Sequence, residues 1–293
     1  MTEIKEYDKK ELEKLRKILL EMLDEVVRIC NKHKLNYFLA GGTALGAIRH
    51  QGYSPWDDDV DVIMPREDYE KFLVYARDEI DDQYFLDYYK TDEKYYKHHL
   101  TIRKNNTMFG KDRYKERTES GIHLGFFLDV LPIDYVKSRT SKKTYIDAAL
   151  VRAVELAIRY KSDFLNMNGL KYKPITIPLL LLPKKTLHKL LFKLCTKYDN
   201  KKRDYLIEYC AIRHHIKQVI YDYDTVFPAK KATFCGKKYN VFHDVDRYLT
   251  QIYGDYMKLP PKEERVAHMP QKLDFEHGLS YNTKEEYYKL NRK

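Results

Sequence analysis

Residues 38–62, FLAGGTALGAIRHQGYSPWDDDVDV, hold three consecutive aspartates (Asp57, Asp58, Asp59) and a fourth, Asp61, shortly after a Gly41–Gly42 pair. Clustered carboxylates repel, so a fold that keeps them needs a cation to offset the charge. Asp59 and Asp61 are two residues apart at the start of an apolar run, VDVIM (60–64). On a strand that spacing puts both side chains on one face, with alpha carbons about 6.5–7 Å apart, while Val60 points the other way into a core. Two carboxylates so placed can converge on one divalent ion or on a pair about 4 Å apart. Oxygen-only ligands favour magnesium or manganese over zinc.

The residues before the acids suit the same site. NYFLA (36–40) reads as a short buried strand, and the glycine pair lets backbone approach a ligand closely. Thr43 is expected to N-cap a short helix through Ile48. Backbone N–H groups of such a turn and the helix N-terminus attract phosphate, and a metal neutralises it from the other side. In-line phosphoryl transfer needs little more than this positioning and charge stabilisation.

The rest of the chain frames that unit. Leu12, Leu15, Leu19, Met22, Leu23 and Val26 form one stripe of a helix over 10–32. Pro65 ends the strand and opens a helix whose apolar face is Tyr69, Phe72, Leu73, Ala76 and Ile80. Further strands are expected at 84–89, 99–104 and 122–133, with 105–121 a mobile polar loop. From about 141 to 216 the pattern is helical. Leu187, Leu190, Leu191 and Leu194 oppose Lys185, Lys189 and Lys193, which fits either a core helix with a basic rim or a helix lying on an anionic leaflet.

Within 293 residues the net charge is +10, which favours an anionic partner. The N-terminus is too charged for a signal peptide, and no run of about 18 apolar residues occurs. Four scattered cysteines without CxxC spacing argue against a disulfide framework or zinc site and suit a cytoplasmic protein. No nucleic-acid-binding motif is evident, so no nucleic acid partner is expected.

A glycine pair, a D-x-D strand and a later strand carboxylate resemble the nucleotidyltransferase superfamily. The segment GGTALGAIRHQGYSPWDDDVDVIMPREDYEKF (41–72), with FFLDVLPID (126–134) and YLTQIYGDYMKLPPKEERVAH (248–268), is similar to the LicD family of phosphorylcholine transferases. The resemblance implies an α+β fold: a nucleotidyltransferase-like mixed sheet flanked by helices, with a largely helical middle and C-terminal region. The expected organisation is a catalytic core at 1–140, a helical, membrane- or acceptor-facing region at 141–216, and a C-terminal segment at 217–293 packed on the core. The implied reaction is magnesium- or manganese-dependent transfer of phosphocholine from CDP-choline to a sugar hydroxyl of a lipid-linked teichoic acid or lipopolysaccharide precursor. Such an acceptor implies peripheral association with the inner face of the membrane. The same carboxylates would also serve transfer of a nucleoside monophosphate, and a non-catalytic anionic-membrane-binding protein is the remaining alternative.

Carried onto this chain, the resemblance gives Asp59, Asp61 and Asp129 as metal-binding and catalytic, with Asp129 a third ligand or the base. Gly41, Gly42 and Thr43 map to the phosphate-binding turn. Arg49 is a candidate to clamp phosphate or pair with the acids, Arg103 to contact nucleotide phosphates, and Trp56 to stack on a base or face a quaternary ammonium. His268 closes the last family-like stretch and is a candidate to reach the site. The adjacent pairs His98–His99 and His214–His215 are expected on the surface.

Overall fold

A computed structural model describes residues 7–111, 113–162, 173–199, 204–211, 216–265 and 267–291. Its elements in chain order begin with α1 (Lys9–His33), β1 (Phe38–Leu39), α2 (Gly41–Arg49), β2 (Asp61–Pro65), α3 (Arg66–Glu79) and β3 (Tyr84–Asp87). Next come β4 (Leu100–Lys104), β5 (Met108–Gly110), α4 (Tyr114–Glu119), β6 (Phe127–Val136), α5 (Lys142–Ser162), α6 (Lys173–Leu179) and α7 (Lys184–Cys195). The chain then forms β7 (Tyr205–Ile207), β8 (Ile220–Asp222), α8 (Tyr223–Val226), β9 (Lys230–Phe234), β10 (Lys237–Val241), α9 (Val245–Tyr253), β11 (Lys272–Asp274) and α10 (Thr283–Asn291). The class is α+β, as expected.

The main sheet runs β1-β2-β6-β4-β3, and β7 and β8 extend it from the far end of β6. Only β2 and β6 pair in parallel; the other neighbours in this sheet are antiparallel. The ten-residue β6 is the hub. It pairs with β2 over 129–133, with β4 over 127–130 and with β7 over 134–136. Leu128 and Val130 of β6, with Val62 and Met64 of β2, are buried in the core cluster that holds the apolar faces of α1 and α3. The stripe of α1 forms because Asp8 accepts from the amides of Lys10 and Glu11 to start the helix, and Lys34 in left-handed conformation ends it. A second apolar cluster joins Val136, Ile207 and Ile220 at the end of the sheet to α5 and α7. The Leu187–Leu191 face of α7 is therefore a packed core face, and Lys185, Lys189 and Lys193 form its exposed rim.

Three expectations change. Thr43 does not cap α2. The helix begins at Gly41, and Thr43 is buried in its first turn, where Oγ1 accepts the Asp61 amide at 3.0 Å. Residues 105–121 are not a loop throughout: β5 pairs with β11 from the C-terminal region, and α4 follows. The strand at 122–133 starts five residues later than expected and runs to 136.

Where β2 passes into α3, Arg66 makes two bonds to Asp134, at 2.7 and 3.0 Å, with Asp134 fully buried. Removing one partner strands the other charge. Asp134→Ala is expected to lower unfolding free energy by about 3–5 kcal/mol, read by denaturant titration.

Candidate active site

Parallel pairing sets Asp61 opposite Asp129, and antiparallel pairing sets Asp129 opposite Thr101 and Thr101 opposite Asp87. Register partners share a face, so a polar row crosses four adjacent strands. The turn after β1 comes up against the end of that row. Gly41 has φ +50°, a region open to glycine, and its amide donates to the Tyr248 hydroxyl of α9 at 2.9 Å. A Cβ on Gly41 would lie 3.8 Å from an Asp61 carboxylate oxygen, and one on Gly42 would lie 3.2 Å from Asp57. The glycine pair is what lets backbone and acids share this space.

The aspartate turn is held from α1. Arg16 donates to the carbonyls of Ser54, Pro55 and Asp57 at 2.7–2.9 Å, and the Tyr53 hydroxyl returns a bond to the Arg16 carbonyl. Asp58 is turned inward. It accepts from the Tyr7 hydroxyl at 2.6 Å and from the His268 amide, and lies 2.9 Å from His268 Nδ1. Nδ1 is also 3.4 Å from Asp59.

The five acids divide into two kinds. Burial opposes the charge on Asp58, but the hydrogen bonds from His268 and Tyr7 overcome it and hold the carboxyl below its usual range. Burial opposes the charge on Asp129 too. Lys97 at 2.9 Å, His99 at 3.3 Å and Thr101 at 2.5 Å hold it well below that range. Asp57, Asp59 and Asp61 lack such compensation. Burial and then the Asp59 charge push Asp57 up to about 8, and one of its oxygens is buried without a hydrogen-bond partner. Burial raises Asp59, and His268 only partly opposes it. Burial followed by Asp59, Asp129 and Asp57 raises Asp61 well above the ordinary range. Three half-buried, mutually repelling carboxyls beside an open turn fit a hard cation. Asp58, Asp59 and His268 also bring one potential ligand atom each within 4.8 Å of one another.

The other candidates lie as follows. Arg49 bonds the Tyr256 carbonyl at 2.8 Å and the His50 ring at 2.9 Å. Its guanidinium is 5.6 Å from the Trp56 ring, and that of Arg265 is 5.4 Å from it. Arg103 is bound to Asp87 at 2.7 Å and to the Gly125 carbonyl. The structure thus gathers Gly41, Gly42, Asp59, Asp61, Asp129 and His268, while Arg103 is engaged by β3. His99 is not a surface residue, because its ring packs on Asp129; His214 and His215 lie outside the described residues. Lys97 and Arg16 went unnoticed in the sequence. Nothing near either marks it out among 54 lysines and arginines.

Residues 34–149 match the family model described as LicD/FKTN/FKRP, nucleotidyltransferase domain. Over those residues the chain is similar to LicD-family nucleotidyltransferase domains. The chain is 28% identical over 262 residues to the lipopolysaccharide cholinephosphotransferase LicD of Haemophilus influenzae, covering 86% of this chain and 93% of that one. Uncharacterised proteins of Rickettsia prowazekii and Rickettsia typhi are each 38% identical over 50 residues, which is 17% of this chain and 19% and 16% of theirs. The LicD match spans the turn, the aspartates and β6 together.

The uncompensated carboxyls make a stability prediction. A raised Asp57 favours the proton in the folded state, so its stabilising contribution is complete below pH 3.8 and is lost as pH rises through about 8. In EDTA, Asp57→Asn is expected to raise the melting temperature at pH 8 by at least about 2 °C, with the gain vanishing near pH 4. Thermal melts across that range check the sign.

Proposed function

We propose that this protein transfers phosphocholine from CDP-choline to a sugar hydroxyl of a lipopolysaccharide or teichoic acid precursor, using a divalent cation. The observation that carries the reading is the convergence of the uncompensated Asp57 and Asp61 on the Gly41–Gly42 turn, with the Asp59 charge acting on both and Asp129 opposite Asp61. The similarity to a lipopolysaccharide cholinephosphotransferase over most of both chains supports the choice of transferred group.

Asp59, Asp61 and Asp129 would hold magnesium or manganese, which would neutralise the donor's pyrophosphate and the charge that develops on it. Asp129 suits a ligand better than a base, since Lys97 keeps it ionised and weakly basic. The Gly42 and Thr43 amides in the first turn of α2 have no partner within the helix and can take phosphate oxygens, while the Gly41 amide is held by Tyr248. His268, whose pKa is raised chiefly by its bond to Asp58, adds positive charge there. Arg49 and Arg265, gathered around Trp56, extend the basic wall. Thr43 ties the turn to β2 and so sets the distance between phosphate and acids. Arg103 would act at one remove, by orienting Asp87 at the end of the polar row.

The acceptor oxygen bonds to the phosphorus that carries choline. The bond from that phosphorus to the bridging oxygen breaks, CMP leaves, and the hydroxyl proton passes to solvent or a carboxylate. Asp59→Ala and Asp61→Ala are each expected to lower turnover at least about 10³-fold, with the melting temperature maintained. Free CMP is the readout, with CDP-choline, magnesium and lipid-linked acceptor. An acceptor that gains the mass of CMP instead would identify nucleotidyl transfer.

No helix among the described residues is long and apolar enough to cross a membrane. Ile175, Ile177 and Leu181 are exposed on and just after α6, with Lys185 and Lys189 nearby in sequence. This supports peripheral contact with an anionic leaflet. Flotation with anionic vesicles at low salt is expected to carry the protein, and Ile177→Asp with Leu181→Asp to release it.

A further inference from the structure

A cavity of about 210 Å³ opens beside the Gly41–Gly42 turn and runs away from it. Its polar side chains are Asp61, Glu208, Gln218, Tyr221, Tyr248 and Tyr253; Leu131 and Ile252 supply methyl groups. At about 30 Å³ per water, the space equals some seven water molecules, room for a headgroup of a few heavy atoms.

Glu208 is the unexpected occupant of this wall. It is 7% exposed, and among the described residues its carboxylate accepts one hydrogen bond, from the Tyr221 hydroxyl at 3.3 Å. Among the described residues no lysine, arginine or histidine pairs with it, and burial raises it to about 7. A buried carboxylate without a counter-charge is costly unless a ligand supplies one. Three tyrosines meet at the same cavity. Tyr221 and Tyr248 are fixed edge to face, 5.3 Å apart, and Tyr248 is tied to the Gly41 amide. Tyr253, at the end of α9, places its hydroxyl 3.8 Å from where a Gly41 Cβ would stand.

We propose that this cavity receives the quaternary ammonium of the donor, with Glu208 as its counter-charge and the tyrosines as its aromatic wall. The inference rests on the phosphocholine reading and deepens it by assigning the specificity pocket. A trimethylammonium group has no N–H to donate. It is held by a nearby negative charge, aromatic rings and methyl contacts, all of which line this space. A primary ammonium would give up more hydration than a trimethylammonium and leave the ring and methyl contacts of the wall unused, so choline is preferred over ethanolamine. The position also fits the chain of attachment, because the headgroup is one phosphate away from the turn and Asp61 lines both regions.

Calorimetry in magnesium tests the assignment with CMP, CDP-choline and CDP-ethanolamine as probes. Wild-type protein is expected to bind CDP-choline about tenfold more tightly than CDP-ethanolamine, a difference of about 1.4 kcal/mol. Glu208→Gln, which keeps the shape, and Tyr253→Leu, which removes a ring near the surface, are each expected to weaken CDP-choline about tenfold. CMP affinity should move by less than about twofold, which also reports an intact fold. If both variants bind CDP-choline as the wild type does, the pocket is elsewhere and the transferase reading stands. If the wild type binds CMP but gains nothing from the choline arm, the pocket is refuted. If it binds neither CMP nor CDP-choline, the function proposed above falls with it.

Discussion

The parallel register of β2 on β6 is the constraint on which the site depends. It sets Asp61 beside Asp129 in a region from which water is largely excluded. Neither strand could slip by one residue without burying both carboxylates in the core and exposing Val60, Val62 and Val130. The apolar faces packed on α1 and α3 therefore fix the electrostatics on the opposite side. Core packing supplies the stability that lets like charges stay close.

Compensation is unequal across the cluster, and the inequality has direction. Asp58 and Asp129 are neutralised by protein groups drawn from distant parts of the chain: Tyr7, His268, Lys97 and His99. Asp57 and Asp61 lie against the turn, and together with Asp59 have little to offset them. A fully compensated cluster would bind a cation weakly, because the ion would have to displace existing partners. An uncompensated one would be too costly to fold around. The division anchors the rim and leaves the centre with the most to gain from a divalent ion.

Much of this frame was legible in the sequence because it is local. Gly41–Gly42 read as a close approach, and Asp61 as the start of a strand; Asp59, expected on the same strand face, lies before β2 in the aspartate turn. FFLDVLP carries Asp129 in an apolar run, so an unpaired charge there stood out. What remained hidden is tertiary. Lys97 and His99 reach Asp129 across the sheet, and the adjacent histidines gave no periodic signal that one is buried. Residues 105–121 read as a loop because β5 is three residues long and pairs with β11, more than 150 positions away. Thr43 looked like a cap since caps are recognised by sequence alone. Its actual partner, the Asp61 amide, lies on the next strand. Arg16 sits on an amphipathic helix where an arginine is ordinarily solvated, yet it organises the whole aspartate turn.

A donor of the class proposed here is anionic at its pyrophosphate and cationic at its headgroup, so the site must offer opposite charges a short distance apart. In water such charges would screen each other. In a partly buried cleft they remain distinct only if a rigid element separates them. The Gly41–Gly42 turn is that element. Thr43 and Tyr248 pin it from β2 and α9, and Asp61 and Glu208 line one cavity beside it. A cation held at the aspartates would offset their charge and give the turn side an electropositive centre, while Glu208 marks the opposite wall with a carboxylate. The ligand's orientation then follows from charge alone, since reversing it would set ammonium against the metal and phosphate against a buried carboxylate. The basic excess of the chain cannot supply that polarity. The placement of a few buried acids does.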